Sequence, residues 1–382
     1  MHTTLAWAEA QLPSFTKLLR RMVECESPSD DRAAVNRFGE LLADTVSKEA
    51  VVKHVGGGRY GKHVICEFRG GKPGGRILVL AHGDTVWPNG TLKTMPFREA
   101  DGRLWGPGVL DIKGGIAVFL FAMQAVRELG LPLKGKVLLQ VNSDEEVGSP
   151  SSRALTERNA SASQAVLVVE PGTGLEGKLK TARKGVGAYR VAVRGRAAHA
   201  GVDFEQGASA ILELARQIEK IAGFTDLSRG VTVNPGVVSG GTRSNVIAAE
   251  AAVEVDIRVA KLRDSERLDR KFQALRVIDR RCSIEITGGL NRPPMERTPG
   301  VVRLFKMARR VGAEMGVTVE ESMTGGGSDG NFTAALGVPT LDGLGCVGEG
   351  AHAPGESIVL GRVPERIALL AGLISETLQV CA

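Results

Sequence analysis

Short aliphatic runs recur through the first half of the chain, each bounded by glycine, asparagine or charged residues. His63–Phe68, Arg76–Ala81, Val137–Asn142 and Ala165–Val169 have the length and branched content of buried strands. Helical patterns stand between and around them. Leu12–Glu24 is amphipathic, and Gly115–Leu129 is apolar nearly all round, as a buried helix is. Strands alternating with helices predict a largely parallel sheet covered on both faces.

From about Leu179 the texture changes. Tyr189–Arg194 alternates as a half-exposed strand, Ala208–Ile221 is an amphipathic helix, and Val231–Val237 is a second strand. Val246–Val259 is a long alternating strand, Asp264–Ile278 a charged helix, and Cys282–Thr287 a last strand. That β-α-β-β-α-β order predicts an open-faced sandwich with both helices on one side. Arg292-Pro293-Pro294 then breaks the pattern, and Val301–Met315, Pro339–Leu341 and Pro364–Leu378 restore the first texture as helix, strand and helix. The 382 residues thus read as an α/β domain (1–178 and 294–382) carrying an inserted α+β domain (179–293).

Composition narrows the function classes. Hydrophobic content of 43% and charged content of 24% are ordinary for a globular protein. The net charge of +6 is scattered and only 4% of residues are aromatic, so a nucleic-acid groove lined with stacking rings is not expected. A mild positive surplus suits a small anionic substrate equally well. The cysteines (Cys25, Cys66, Cys282, Cys346, Cys381) are widely spaced with no CxxC pair, which argues against a disulfide framework or a thiolate zinc site and for reduced core residues. The opening MHTTLAWAEAQLPSFTKLLRRM lacks the basic head and apolar core of a signal peptide, and a cytoplasmic protein without membrane contact is expected.

Six histidines can be weighed one at a time. His2 and His54 lie in polar stretches, and His63 opens a strand as a structural residue would. His82 directly follows a predicted parallel strand, in LAHGDTVW, and so falls where open α/β sheets place ligands. Asp84 stands two residues on, able to hold the second ring nitrogen. A buried His–Asp pair with no metal would read the same way. The carboxylates separate the two readings. Asp111 lies in the glycine-rich turn GPGVLDIKGG, Glu145 and Glu146 follow a buried strand in VNSDEEVGS, and Glu170 ends VLVVE. Carboxylates gathered at one sheet edge would repel strongly unless cations lay between them. His352, in EGAHAPGE, adds a second imidazole. Two imidazoles with carboxylates and no sulfur favour two Zn2+, with Co2+ or Mn2+ fitting the same ligands. Paired metals activate a water between them. One acid should stay off the metals to take that water's proton. Either Glu145 or Glu146 could fill that place by position alone.

HGDTV, GPGVLDIKGG, SDEEVGS, VVEP and EGAH resemble, in order, the metal-site motifs of the amidohydrolase family that contains bacterial glutamate carboxypeptidase, acetylornithine deacetylase and succinyl-diaminopimelate desuccinylase. The resemblance implies a three-layer zinc-exopeptidase-like α/β catalytic domain with an inserted lid that dimerises. It implies that His82 and Glu170 hold one metal, Glu146 and His352 the other, and that Asp111 bridges. Asp84 would orient His82 and Glu145 would be the base. His199, in RGRAAHAG, matches a lid histidine that serves the partner subunit's site in a homodimer. Asn245 (TRSNVI), Arg258 (DIR), Arg292 (NRPP), and Thr324 and Gly326 of TGGGSD match substrate-binding positions, and Lys178 falls where glutamate carboxypeptidases place a lysine. Glutamate at 170 implies a carboxypeptidase or deacylase where aspartate would imply a dipeptidase. The expected reaction is release of a C-terminal glutamate or similar amino acid from an N-acyl substrate, with an N-acyl amino acid deacylase as the alternative.

Overall fold

The computed structural model describes residues 1–380, with the side chain of Val380 left aside, so Cys381 lies outside the described residues. The chain forms two compact units. One comprises Met1–Ala182, Arg297–Thr324 and Ser328–Ala382, the other Arg183–Glu296 with Gly325–Gly327.

The first unit is built on a six-stranded sheet. Its order is Val51–Gly56, Lys62–Arg69, Lys134–Asn142, Lys72–His82, Ala165–Val168 and Thr340–Leu341. The last four strands run parallel, while the first two pair antiparallel at one edge. Both faces of the central strand are dry, and its alternation shows why. Ile77, Val79 and Ala81 face the large core that includes the Gly114–Glu128 and Val363–Val380 helices, whereas Leu78 and Leu80 join Leu138, Leu155 and Val166 in a second core. The result is the helix–sheet–helix layering that the alternating texture predicts.

The stretch Val109–Glu128 has the length and apolarity of a membrane span but is 89% buried within the unit, so its composition answers to the core. It is regular helix only from Gly114. Gly115 lets that helix start against the end of the Ala165–Val168 strand: a Cβ there would lie 1.9 Å from the Val169 carbonyl oxygen. The helices His2–Ala10, Arg32–Val46, Arg153–Ser161 and Gly330–Ala335 were not anticipated from the sequence pattern.

The second unit is a four-stranded antiparallel sheet ordered Thr232–Gly240, Glu250–Val259, Gly185–Arg194, Ser283–Arg292. The helices Ala210–Ala222 and Leu262–Gln273 share its core with Tyr189, Val191, Val193, Val253, Val255 and Ile257. The third strand starts at Glu250, not Val246, because residues 247–249 bond to the 195–198 turn and to Ala210 and leave the ladder. The second helix stops at Gln273 instead of Ile278. Beyond it the buried Glu213 carboxylate accepts the N–H groups of Ile278 and Asp279, at 2.9 Å each.

Phe272 anchors this unit, fully buried and stacked on Tyr189 at 3.8 Å between ring centres, with Phe224 edge-on at 5.5 Å. Replacing Phe272 with alanine should cost about 3–5 kcal/mol of unfolding free energy. Urea denaturation of the variant checks this, and a loss below about 1 kcal/mol would mean that the stack contributes little.

Candidate metal centre

Parallel strands project their last side chains over one edge of the sheet, and the site is assembled there. His82 ends its strand and is buried. Its Nδ1 lies 2.9 Å from the main-chain carbonyl oxygen of Asp84, which fixes the ring and directs Nε2 toward the carboxylates. The Asp84 carboxylate also stands near the ring, 3.5 Å from Nδ1, so the backbone oxygen and the side chain of Asp84 both face the second ring nitrogen. That carboxylate has other work. It accepts the Ser29 hydroxyl at 2.7 Å and the main-chain N–H groups of Glu145 and Glu146 at 3.1 and 3.2 Å. Asp84 therefore locks the His82 loop to the turn that carries both glutamates.

Asp111 sits in the turn Val109–Lys113, entered through Gly108 at φ +72°, and its peptide bond to Ile112 is cis. One carboxylate oxygen lies 3.2 Å from His82 Nε2, the other 3.3 Å from His352 Nε2. It thus stands between the two imidazoles, the place of a bridging ligand. Glu146, on the short turn Glu145–Val147, brings Oε2 to 3.2 Å from His352 Nε2. Glu170, two residues past its strand, puts Oε1 3.6 Å from His82 Nε2. His352 lies on the loop joining Gly348–Glu349 to Ser357–Val359, at φ +62°, with its side chain half-exposed. Glu145 is half-buried on the same turn as Glu146.

The donor set suits a metal ion. Ligand atoms of His82, Asp111 and Glu146 all lie within 4.8 Å of one another. Glu146 Oε1 is buried without a hydrogen-bond partner among the described residues, an orphaned acceptor that a cation would satisfy. The electrostatics agree. Burial opposes charge on His82, yet hydrogen bonds to Asp111, Asp84 and Glu170 raise its pKa well above the ordinary imidazole value. Hydrogen bonds to Asp111 and Glu146 push His352 up to about 10. Burial works to raise the Asp111 pKa, but His352 and His82 overcome it and hold Asp111 well below the usual carboxylate range, while burial raises Glu146. Protons on the two rings occupy the positions that cations would take.

A second tier of groups escaped the sequence reading. Glu356 is buried and accepts four N–H donors, from Trp87, Gly108, Leu110 and Asp111. Asp329, from the polar end of TGGGSD, accepts Asn142 Nδ2 at 2.6 Å and the Ser149 hydroxyl, and so braces the turn beyond Glu146. The signals were present as charged residues in otherwise apolar or glycine-rich surroundings, but nothing local named their partners.

The remaining candidates fall elsewhere. In the second unit the exposed His199 accepts the N–H groups of Gly201 and Val202 on Nδ1. Its neighbour Ala200 donates to the Asn245 carbonyl oxygen. Arg258 presents its fork to Asp256, with two contacts of 2.9 Å, so the carboxylate it grips here is its own neighbour's. Arg292 is buried beside Gly327, and Arg183 donates to the carbonyls of Gly326 and Gly327. In the first unit Thr324 ends the Glu321–Thr324 strand, and Lys178 pairs with Glu320 at 3.2 Å.

Residues 78–376 match peptidase family M20/M25/M40, and the chain belongs to that family. Carboxypeptidase G2 of Pseudomonas sp. (strain RS-16) is 29% identical over 387 residues, which cover 97% of this chain and 90% of that protein. A succinyl-diaminopimelate desuccinylase of Acidovorax ebreus (strain TPSY) is 30% identical over 283 residues, 68% of this chain and 70% of that one. In three dimensions the chain resembles the YXEP protein of Bacillus subtilis, a dinuclear metal-binding peptidase from the M20 family, with a TM-score of 0.70 at 16% identity over 97% and 99% of the two chains. The protein is accordingly a hydrolase with the M20 peptidase fold.

The histidine shifts set a pH dependence. His352 rises on folding from 6.5 to about 10, so its pairing stabilises the metal-stripped protein fully below 6.5 and is lost as pH climbs through about 10. Thermal melts of chelator-treated protein should therefore fall across that window, and His352→Asn should flatten the slope. An unchanged slope in the variant would remove His352 from the cluster's charge balance.

Proposed function

We propose that this protein hydrolyses the amide bond between an acyl group and a C-terminal amino acid, glutamate or one like it, using two zinc ions. The observation that carries the reading is the convergence of His82, Asp111, Glu146, Glu170 and His352, with Asp111 between the two rings and one buried Glu146 oxygen left open. His82 and Glu170 would hold one ion, Glu146 and His352 the other, and Asp111 both. When bound, such ions polarise the scissile carbonyl and make water acidic near neutral pH. Cobalt or manganese would fit the same ligands.

The chain's own residues supply the rest. Glu145, fixed through its main-chain N–H to Asp84, takes the proton of the attacking water and passes it to the amide nitrogen as the C–N bond breaks. The products are a carboxylic acid and a free amino acid. Arg292 is suited to the substrate's α-carboxylate, since a planar guanidinium matches it. Asn245, Arg258 and Gly326 of the inserted unit, and Thr324 and Lys178 of the first, are the other candidates for substrate contacts. His199, exposed on the inserted unit, would stabilise the developing oxyanion in the partner subunit of a homodimer formed through that unit.

Identity to carboxypeptidase G2 over nearly the full chain supports the carboxypeptidase reading, and identity to the desuccinylase keeps deacylation as the second. A kinetic panel of folate-type glutamyl substrates against acetylornithine and succinyl-diaminopimelate separates them. Preference for either of the last two would overturn the first reading. Glu145→Ala should lower kcat by about 10²–10⁴ with metal content unchanged. Turnover at the wild-type rate would remove Glu145 as the base. His199→Ala should also lose turnover and keep its metal. Mixing His199→Ala with Glu145→Ala subunits should restore activity if the histidine serves the partner, because one site in each mixed dimer is then intact. No recovery in verified mixed dimers would place His199 in its own subunit's chemistry or outside it.

A further inference from the structure

Glu356 is a buried carboxylate in an already crowded anionic region, and each of its oxygens already accepts two N–H groups. Its Oε1 accepts the N–H groups of Leu110 and Asp111, at 2.8 and 3.0 Å. Its Oε2 accepts the Gly108 N–H at 2.8 Å and the Trp87 indole N–H at 2.7 Å. These donors belong to two different loops. Trp87 follows His82 and Asp84 in sequence, while Gly108, Leu110 and Asp111 form the turn that leaves helical geometry at Asp111, where φ is −114° and ψ is 88°. Glu356 itself stands four residues past His352, at the end of the loop that carries that ring into the Ser357–Val359 strand. One side chain therefore joins the three loops that deliver His82, Asp111 and His352.

We propose that Glu356 is a positioning residue for the metal centre, setting the main-chain angle from which Asp111 reaches both imidazoles. The inference rests on the metal reading given above. It differs from a purely structural role in where its loss is felt. A carboxylate offers acceptors on both oxygens, and all four donors here need one. Glutamine keeps the shape but turns an N–H₂ toward one pair of donors. The turn must then shift where Asp111 is attached, and the register between Asp111 and His352 goes with it. Outer partners of metal ligands act in this manner, and losing one weakens metal binding by roughly 10- to 100-fold. Trp87→Phe removes a single donor and leaves the carboxylate and its three main-chain contacts intact.

The test is a zinc titration of chelator-stripped full-length protein against a competing fluorescent indicator, beside thermal melts of the stripped forms. Wild type should take up two Zn2+ per chain. Glu356→Gln should bind them about 10- to 100-fold more weakly, and Trp87→Phe should shift the same way by a smaller factor. Wild-type zinc affinity in Glu356→Gln, with only the stripped protein's melting temperature lowered, would overturn the positioning role and leave the metal reading standing. If Glu356→Gln fails to fold, Trp87→Phe decides, and unchanged affinity there overturns the role. Failure of the wild-type protein to take up zinc would overturn the metal reading and the positioning role together.

Discussion

Like charge brought close out of water must be neutralised, and at the carboxyl edge of this sheet it is neutralised in two separate ways. Asp111, Glu146 and Glu170 turn toward two imidazoles and toward one another. Asp84, Glu356 and Asp329 are buried and are held chiefly by N–H and O–H donors. The first set leaves an acceptor open and can take a cation. The second is closed and can only hold structure. Function depends on the two staying distinct, since a donor turned toward the first set would compete with a metal.

Rigid elements do part of this work and loops do the rest. Three of the four parallel strands end beside the site, with His82 opposite Asn142 in register and Glu145 and Glu170 shortly beyond their strands. Asp111 and His352 come from segments that turn through positive φ, at Gly108 and at His352 itself, which no repeating structure could place. Main-chain N–H groups of the Asp111 turn donate to the Glu356 carboxylate, which ties that turn to the end of the His352 loop.

That division also explains what the sequence disclosed. A charged residue ending an aliphatic run is legible, because a buried parallel strand has no other reason to finish so, and His82, Glu146 and Glu170 were found that way. The layered fold was legible from the same runs. Asp111 and His352 stood out only as an acid in a glycine-rich turn and a histidine in a loop, and which metal each would hold was implied by resemblance alone. Glu356 lay beyond reach, because its four donors lie 245 or more residues away along the chain. The Asp256–Arg258 pair was readable in principle. Residues two apart on a strand share a face, and a neighbouring acid is an arginine's nearest partner.

Glu145 and Glu146 are adjacent on a turn of three residues per revolution, so their side chains diverge by about 120°. Asp84 grips both of their N–H groups with one carboxylate. Under the proposed mechanism, holding a cation and accepting a proton would fall to two directions set by a single backbone bend. Insertion or deletion of one residue in that segment would turn both acids by about 120°, so that neither keeps its present direction. Such a frame tolerates substitution at many surrounding positions but admits almost no change in length, a constraint on how descendants of this chain can vary.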